Sequence, residues 1–181
     1  MKTIAVVVGS LREGSYCLKT TKAIEKLAEG KLKFDYLELA DIPMFNQDLE
    51  ADLPASVARV KDQITAADGV LIVTPEYNRA YPPLVKNIVD WASRPYAAGV
   101  WTGKPAAAIG VTPGGTNAVA ATVQLTELMT TVGMYVMGAP GVYLSVNDDF
   151  FAADGGFADE GTKGFIGGWV DAFDDFAGKF A

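Results

Sequence analysis

The chain has 181 residues, half of them apolar and one in five charged, which is enough for a sizeable core and unlike a disordered or fibrous protein. It carries a net charge of −7, one cysteine (Cys17) and no histidine. That excludes an intramolecular disulfide, His-based triads and His-ligated metals, and it disfavours nucleic acid, whose phosphates need clustered Lys and Arg.

Taken in chain order, residues 3–8 (Thr-Ile-Ala-Val-Val-Val) form a continuous apolar run, the pattern of a strand buried on both faces of a parallel sheet. A polar loop from Gly9 to Gly14 follows, and Ser15 opens a helix that stops near Gly30. Residues 33–39 read as a second strand, 40–53 as a loop, and the stretch from Pro54 through Val57, Val60 and Ile64 as a second helix. Gly69–Thr74 is a third buried strand, Pro75–Tyr81 a loop and Pro82–Trp91 a helix. Pro105–Val111 is a fourth strand, Thr112–Thr116 a glycine loop, and Asn117–Val132 a helix closed by Gly133. Residues 134–146 supply a fifth strand interrupted around Pro140-Gly141, 147–161 an irregular loop, and 162–180 a last helix. Its Phe165, Ile166, Trp169, Phe173, Phe176 and Phe180 are spaced to dock on a sheet.

Strands alternating with helices make a doubly wound α/β sandwich with parallel strands. No linker, repeat or low-complexity tract divides it, so residues 1–181 are expected to form a single domain. No apolar stretch approaches the roughly 20 residues that cross a bilayer. The lone thiol fits a reducing cytosol, so the expectation is a cytoplasmic protein with no membrane, nucleic-acid or metal partner. Eight acids between Asp148 and Asp175 face only Lys163 and Lys179, an imbalance that reads as a solvated helix face and loop.

In such a sheet ligands bind beyond the carboxyl ends of the strands, where the winding reverses. Three loops qualify. The first, Gly9-Ser10-Leu11-Arg12-Glu13-Gly14-Ser15-Tyr16, sets hydroxyls, a guanidinium and unpaired helix-start amides together, which suits a phosphomonoester. The plainer reading is a turn in which Ser15 caps the helix. The second, Thr74-Pro75-Glu76-Tyr77-Asn78-Arg79-Ala80-Tyr81, offers a rigid wall, an aromatic face and an amide to a flat heterocycle. The third, Thr112-Pro113-Gly114-Gly115-Thr116-Asn117, allows close backbone approach. Between Glu76 and Lys104, Arg79, Lys86, Arg94 and Lys104 outnumber Glu76 and Asp90, so positive charge is expected near these loops.

These stretches resemble a known family. Gly9-Ser10-Leu11-Arg12-x-x-Ser15, Pro75-Glu76-Tyr77-Asn78 through Pro82, Leu84-x-Lys86-Asn87-x-x-Asp90-Trp91 and Ser93-Arg94-Pro95 are similar to the NADPH-dependent FMN reductases, which include bacterial quinone and chromate reductases and small azoreductases. The resemblance runs from residue 3 to about 137. It implies a flavodoxin-like three-layer sandwich with a five-stranded parallel sheet of order 2-1-3-4-5 and helices on both faces. It also implies noncovalent FMN, with the phosphate on Ser10, Arg12, Ser15, Tyr16 and Cys17. The ring would lie against Pro75, Glu76, Tyr77 and Asn78, with Thr112, Gly114 and Gly115 on the other side. NADPH or NADH would give a hydride to flavin N5, and a small acceptor (a quinone, flavin, azo compound or chromate) would take it in a second half-reaction, so no side chain is named as catalytic. Family members are usually dimers or tetramers with the site near a subunit interface, so the resemblance implies a homodimer or homotetramer. The chain departs from the family pattern at Cys17, Ala80, Pro83 and Ala118–Ala121, positions that bear on FMN affinity and acceptor preference. Two other readings share the fold: a flavodoxin-type electron carrier, and a binding or regulatory module without flavin.

Overall fold

The strands fall on apolar runs, unbroken in the middle of the sheet and interrupted by Lys33 and Asp35 at one edge. In the computed structural model, which describes residues 1–180 apart from the side chain of Ala97, they are β1 (Lys2–Val8), β2 (Leu32–Tyr36), β3 (Gly69–Thr74), β4 (Pro105–Thr112), β5 (Tyr135–Val136) and β6 (Val142–Ser145). The helices are α1 (Tyr16–Leu27), α2 (Ala55–Ala66), α3 (Pro83–Ala92), α4 (Val119–Thr131) and α5 (Glu160–Ala177). All pairings are parallel, in the order β2-β1-β3-β4-β5. This is the flavodoxin-like order, with its winding reversal between β1 and β3.

The fifth position of the sheet is split. β5 pairs with Pro105 and Ala106, the chain steps out through Gly138–Gly141, and β6 returns to pair with Ile109–Thr112. The interruption therefore falls around Pro140-Gly141, as its turn chemistry implies.

Side chains leave the central strands alternately, which divides the core into two layers. Ile4, Val6, Leu71, Val73, Ile109 and Val111 pack with Ile24, Trp169, Val170 and Phe173 under α1 and α5. Ala5, Val7, Val70 and Ile72 pack with Val60, Ile64, Val85, Ile88, Val89, Leu125 and Met129 under α2, α3 and α4. The small side chains of β4 let α4 lie close. A Cβ on Gly110 would stand 2.3 Å from Thr122 Oγ1.

Three expectations need correction. The fourth helix starts at Val119, because Asn117 and Ala118 take left-handed backbone (φ 53° and 55°) and finish the preceding loop. The fifth helix begins and ends earlier than residues 162–180. Its buried stripe is Ile166, Trp169, Val170, Phe173 and Ala177, at true helical spacing, whereas Phe165 is exposed and Phe180 lies past the end, stacked on Tyr135 at 4.5 Å. The stretch 147–161 is not merely solvated loop. Phe157 is buried in the core, Phe150 and Phe151 pack around it, and Phe151 bridges to Phe157.

Candidate active site

The register brings the carboxyl ends of β1, β3 and β4 level, with Val8 beside Val73 and Thr74 beside Gly110. The three loops that leave them therefore meet. Gly9 makes the junction possible: its N–H donates to Val73 O at 2.8 Å, and a Cβ there would lie 2.8 Å from Pro75 Cδ. Between the loops lies a cavity of about 570 Å³, lined by Ser10, Arg12, Ser15, Tyr16, Cys17, Pro75, Glu76, Tyr77, Val111, Thr112 and Pro113. Nine of the twelve residues expected from sequence converge on it. Asn78, Gly114 and Gly115 stand outside the lining on exposed parts of their loops. Val111 and Pro113 were not singled out from sequence. They neighbour expected residues but carry no polar signal.

At the first-loop end, Ser15 is the N-cap of α1. Its Oγ accepts from Leu18 N–H at 3.3 Å, which is the plainer reading of this serine, yet the residue also lines the cavity. The amides of Tyr16 and Cys17 sit in the first helical turn, where no intrahelical acceptor exists. Ser10 Oγ accepts from Arg12 N–H at 3.4 Å, and the Arg12 guanidinium donates to the carbonyls of Glu13 (3.3 Å) and Gly14 (3.0 Å), so the loop is folded around its own cation. Burial pushes the Cys17 thiol up to about 12, against a smaller opposing pull from Arg12. This is a packed thiol rather than a nucleophile.

The second loop is built as a two-residue hairpin. Tyr77 N–H donates to Ala80 O at 2.9 Å and Ala80 N–H to Tyr77 O at 3.1 Å, with Asn78 and Arg79 both left-handed (φ 51° and 68°). Helix α4 holds this turn at two points. Ala121 N–H donates to Glu76 Oε2 at 3.2 Å, and Gln124 Nε2 donates to Arg79 O at 2.7 Å. Ala118, the N-cap of α4, has no capping side chain, so the carboxylate of Glu76 does that work from another loop. Glu76 is thus a helix cap with a side chain only 5% exposed.

The block after the second loop has a largely structural explanation. Asn87 Nδ2 and Trp91 Nε1 both donate to Pro43 O, at 2.9 and 2.8 Å, and Asn87 Oδ1 accepts from Phe45 N–H at 2.7 Å. They latch the 40–53 segment onto α3. The positive charge expected near the loops is mostly elsewhere. Lys86 pairs with Asp90 at 2.6 Å, Lys104 reaches the carbonyls of Thr65 and Ala67 at the amino ends of the strands, and Arg94 follows the far end of α3. Arg79 alone of the four stands beside a residue that lines the cavity.

One end of the cavity offers hydroxyls, free helix-start amides and a guanidinium, the donor set for a phosphomonoester. The other offers proline, tyrosine and threonine walls suited to a flat, polar-edged ring. That donor set fits FMN, and fold and cavity together define a flavodoxin-like FMN-binding protein. The chain belongs to the NADPH-dependent FMN reductase family, whose sequence profile matches residues 1–148. It is 37% identical over 170 residues to a 2-hydroxy-1,4-benzoquinone reductase from Burkholderia sp, covering 94% of this chain and 93% of the relative. A quinone reductase from Pseudomonas putida is 38% identical over 172 residues, covering 94% and 92%. The structure of the flavoenzyme NAD(P)H:(acceptor) oxidoreductase FerB from Paracoccus denitrificans superposes with a TM-score of 0.96 at 48% identity, covering 99% of each chain.

Proposed function

We propose that this protein reduces quinones with NAD(P)H, and that FMN binds noncovalently in the cavity between the first and second loops. NAD(P)H-dependent FMN oxidoreductase activity is the family's reaction, and the named relatives are quinone reductases. The observation that carries the site assignment is the joining, in one cavity, of an anion-cradling loop to a flat wall backed by a clamped left-handed turn.

When bound, FMN would supply the redox chemistry between NAD(P)H and the acceptor. The protein's own part is binding and orientation. Ser10, Arg12, Ser15 and the amides of Tyr16 and Cys17 hold the phosphate, with the α1 N-terminus favouring its charge. Pro75, Glu76, Tyr77 and Asn78 bound one side of the ring and Thr112, Gly114 and Gly115 the other. Among these, Asn78, Gly114 and Gly115 lie on exposed parts of the same loops, outside the cavity lining. Glu76 positions the second loop by capping α4.

A cytoplasmic location and assembly as a homodimer or homotetramer belong to the same reading. Val119 and Val123 stand exposed on α4, and Tyr77 and Tyr143 add further exposed apolar surface. No helix among the described residues is long and apolar enough to cross a membrane. Light scattering on the purified protein tests the assembly, and a monomer at micromolar concentration removes it.

The decisive experiment is the visible spectrum of purified protein before and after adding FMN, then NADPH under nitrogen, then a quinone. A yellow protein bleached by NADPH and recoloured by quinone is the expected result. Yellow protein that NADPH leaves unchanged would identify an electron carrier, and protein that stays colourless with FMN would remove the site assignment.

A further inference from the structure

The turn Tyr77–Ala80 carries an arginine where its backbone favours glycine. Two-residue hairpin loops with positive φ at both central residues prefer Asn-Gly, since asparagine tolerates the left-handed region and glycine has no Cβ to clash. Asn78 obeys the preference and Arg79, at φ 68°, breaks it. The chain holds the unfavourable conformation in place with Gln124, whose amide donates to Arg79 O at 2.7 Å. Local rules are broken in this way mostly where the side chain serves a purpose that packing does not explain.

The Arg79 side chain does not pack. It is 73% exposed, and its ion-pair partner is Glu76 Oε1 at 3.7 Å, beyond hydrogen-bond length. The other oxygen of Glu76 is engaged by Ala121 N–H, so the carboxylate belongs first to α4. The result is a planar fork of donors beside a lining residue of the cavity, on a backbone fixed at both ends. An arginine so presented is suited to an oxyanion, which its fork engages with two parallel bonds.

We propose that Arg79 is a specificity-determining residue that takes an oxyanion of a reactant at the mouth of the cavity. Two reactants of the reductase reading, on which this inference rests, carry that chemistry: the phosphates of the dinucleotide donor and the ionised oxygen of an acidic quinone. The clamped turn presents the guanidinium from a fixed backbone while the reactants exchange.

The test uses the FMN-loaded enzyme and the variant Arg79→Gly, which gives the turn its preferred Asn-Gly pair and so keeps the fold. Arg79→Lys retains charge without the fork. Michaelis constants are measured for NADPH, for a neutral quinone and for a sulfonated quinone, together with the FMN dissociation constant. The expected result is a rise of about tenfold in KM for an anionic reactant in Arg79→Gly, the scale of one hydrogen bond to a charged group. Arg79→Lys recovers only part of it, while the neutral quinone and FMN affinity stay at wild-type values. A rise for NADPH alone assigns the oxyanion to the dinucleotide, and a rise for the sulfonated quinone alone assigns it to the acceptor. Unchanged constants for both anions, or an equal rise for the neutral quinone, overturn the proposal. Wild-type enzyme that NADPH does not reduce would instead sink the reductase reading.

Discussion

Arg12 donates to two carbonyls of its own loop, so its guanidinium is already positioned where an anion at the α1 N-terminus would meet it. Its removal takes away a charged contact while leaving the Ser15 cap intact. Arg12→Ala is expected to weaken FMN binding by about 1.5–3 kcal/mol, the usual scale for a hydrogen bond to a charged group. Riboflavin, which lacks the phosphate, serves as the control in a fluorescence titration. Equal losses for both ligands would move the phosphate away from Arg12. Cys17, two residues into the same helix start, has a different consequence. Its thiol is raised from 9.0 to about 12 by burial, so the contribution is complete below pH 9 and is lost as pH climbs toward 12. In that window the unfolded chain has released a proton that the folded chain retains, and stability falls by about 1.4 kcal/mol per pH unit. Tyr36 is also raised, by burial and its bond to Glu25, so the measurement is a difference. Urea unfolding from pH 8 to 10.5 is expected to show a steeper alkaline loss in wild type than in Cys17→Ala. Parallel curves would mean that the thiolate is tolerated inside.

Between elements, the tight contact is Gly9 against Pro75, where the first and second loops join. Gly9→Ala puts a Cβ within 3.0 Å of Pro75, Val73 O and Val85 at once. Overpacking of this kind costs about 1–3 kcal/mol. Because the strained contact separates the two cavity-forming loops, FMN affinity is expected to fall together with the thermal midpoint. A variant that loses stability while binding FMN as before would show that the loops move as one piece. The same scale explains what the sequence reveals. β3 is legible to the residue because Gly69–Thr74 is an unbroken apolar run buried on every side, and periodicity needs no further information. The three loops are legible because strand-end position follows from the doubly wound pattern. The start of α4 is not, since left-handed Ala118 carries no sequence mark. Neither is the role of Glu76, because its partner Ala121 is 45 residues away and offers a backbone amide that every residue has. The Asn87 and Trp91 latch on Pro43 is hidden for the same reason: its acceptor is a carbonyl, so the motif marks the family without showing what its side chains do.

Over the whole molecule, the uneven charge of the chain becomes a docking pattern. The acids of the last third do not simply face water. Asp148, Asp154, Asp171 and Asp174 pair with Lys19, Lys26, Lys31 and Lys2, which all come from the first 31 residues. Helix α5 and the 147–161 segment are thereby laid against α1 and β1, over the layer that packs Trp169 and Phe173. Each pair is partly exposed, so none carries the fold alone, and the apolar layer remains the main source of stability. Their value lies in matching one end of the chain to the other. Lys2–Asp174, at 2.7 Å, tests this best because both side chains are about three-quarters covered (26% and 28% exposed), which limits screening. Lys2→Asp and Asp174→Lys each leave two like charges facing one another, and each is expected to lower stability by about 0.5–1 kcal/mol. The double variant restores the pair in reverse and leaves the net charge unchanged, so any general effect of self-repulsion cancels. Recovery of most of the loss in the double variant, measured by urea unfolding at low salt and diminished at 0.5 M salt, is the expected outcome. Losses that merely add would mean that the apolar layer alone registers α5, and that the matching charges of the two ends are incidental to it.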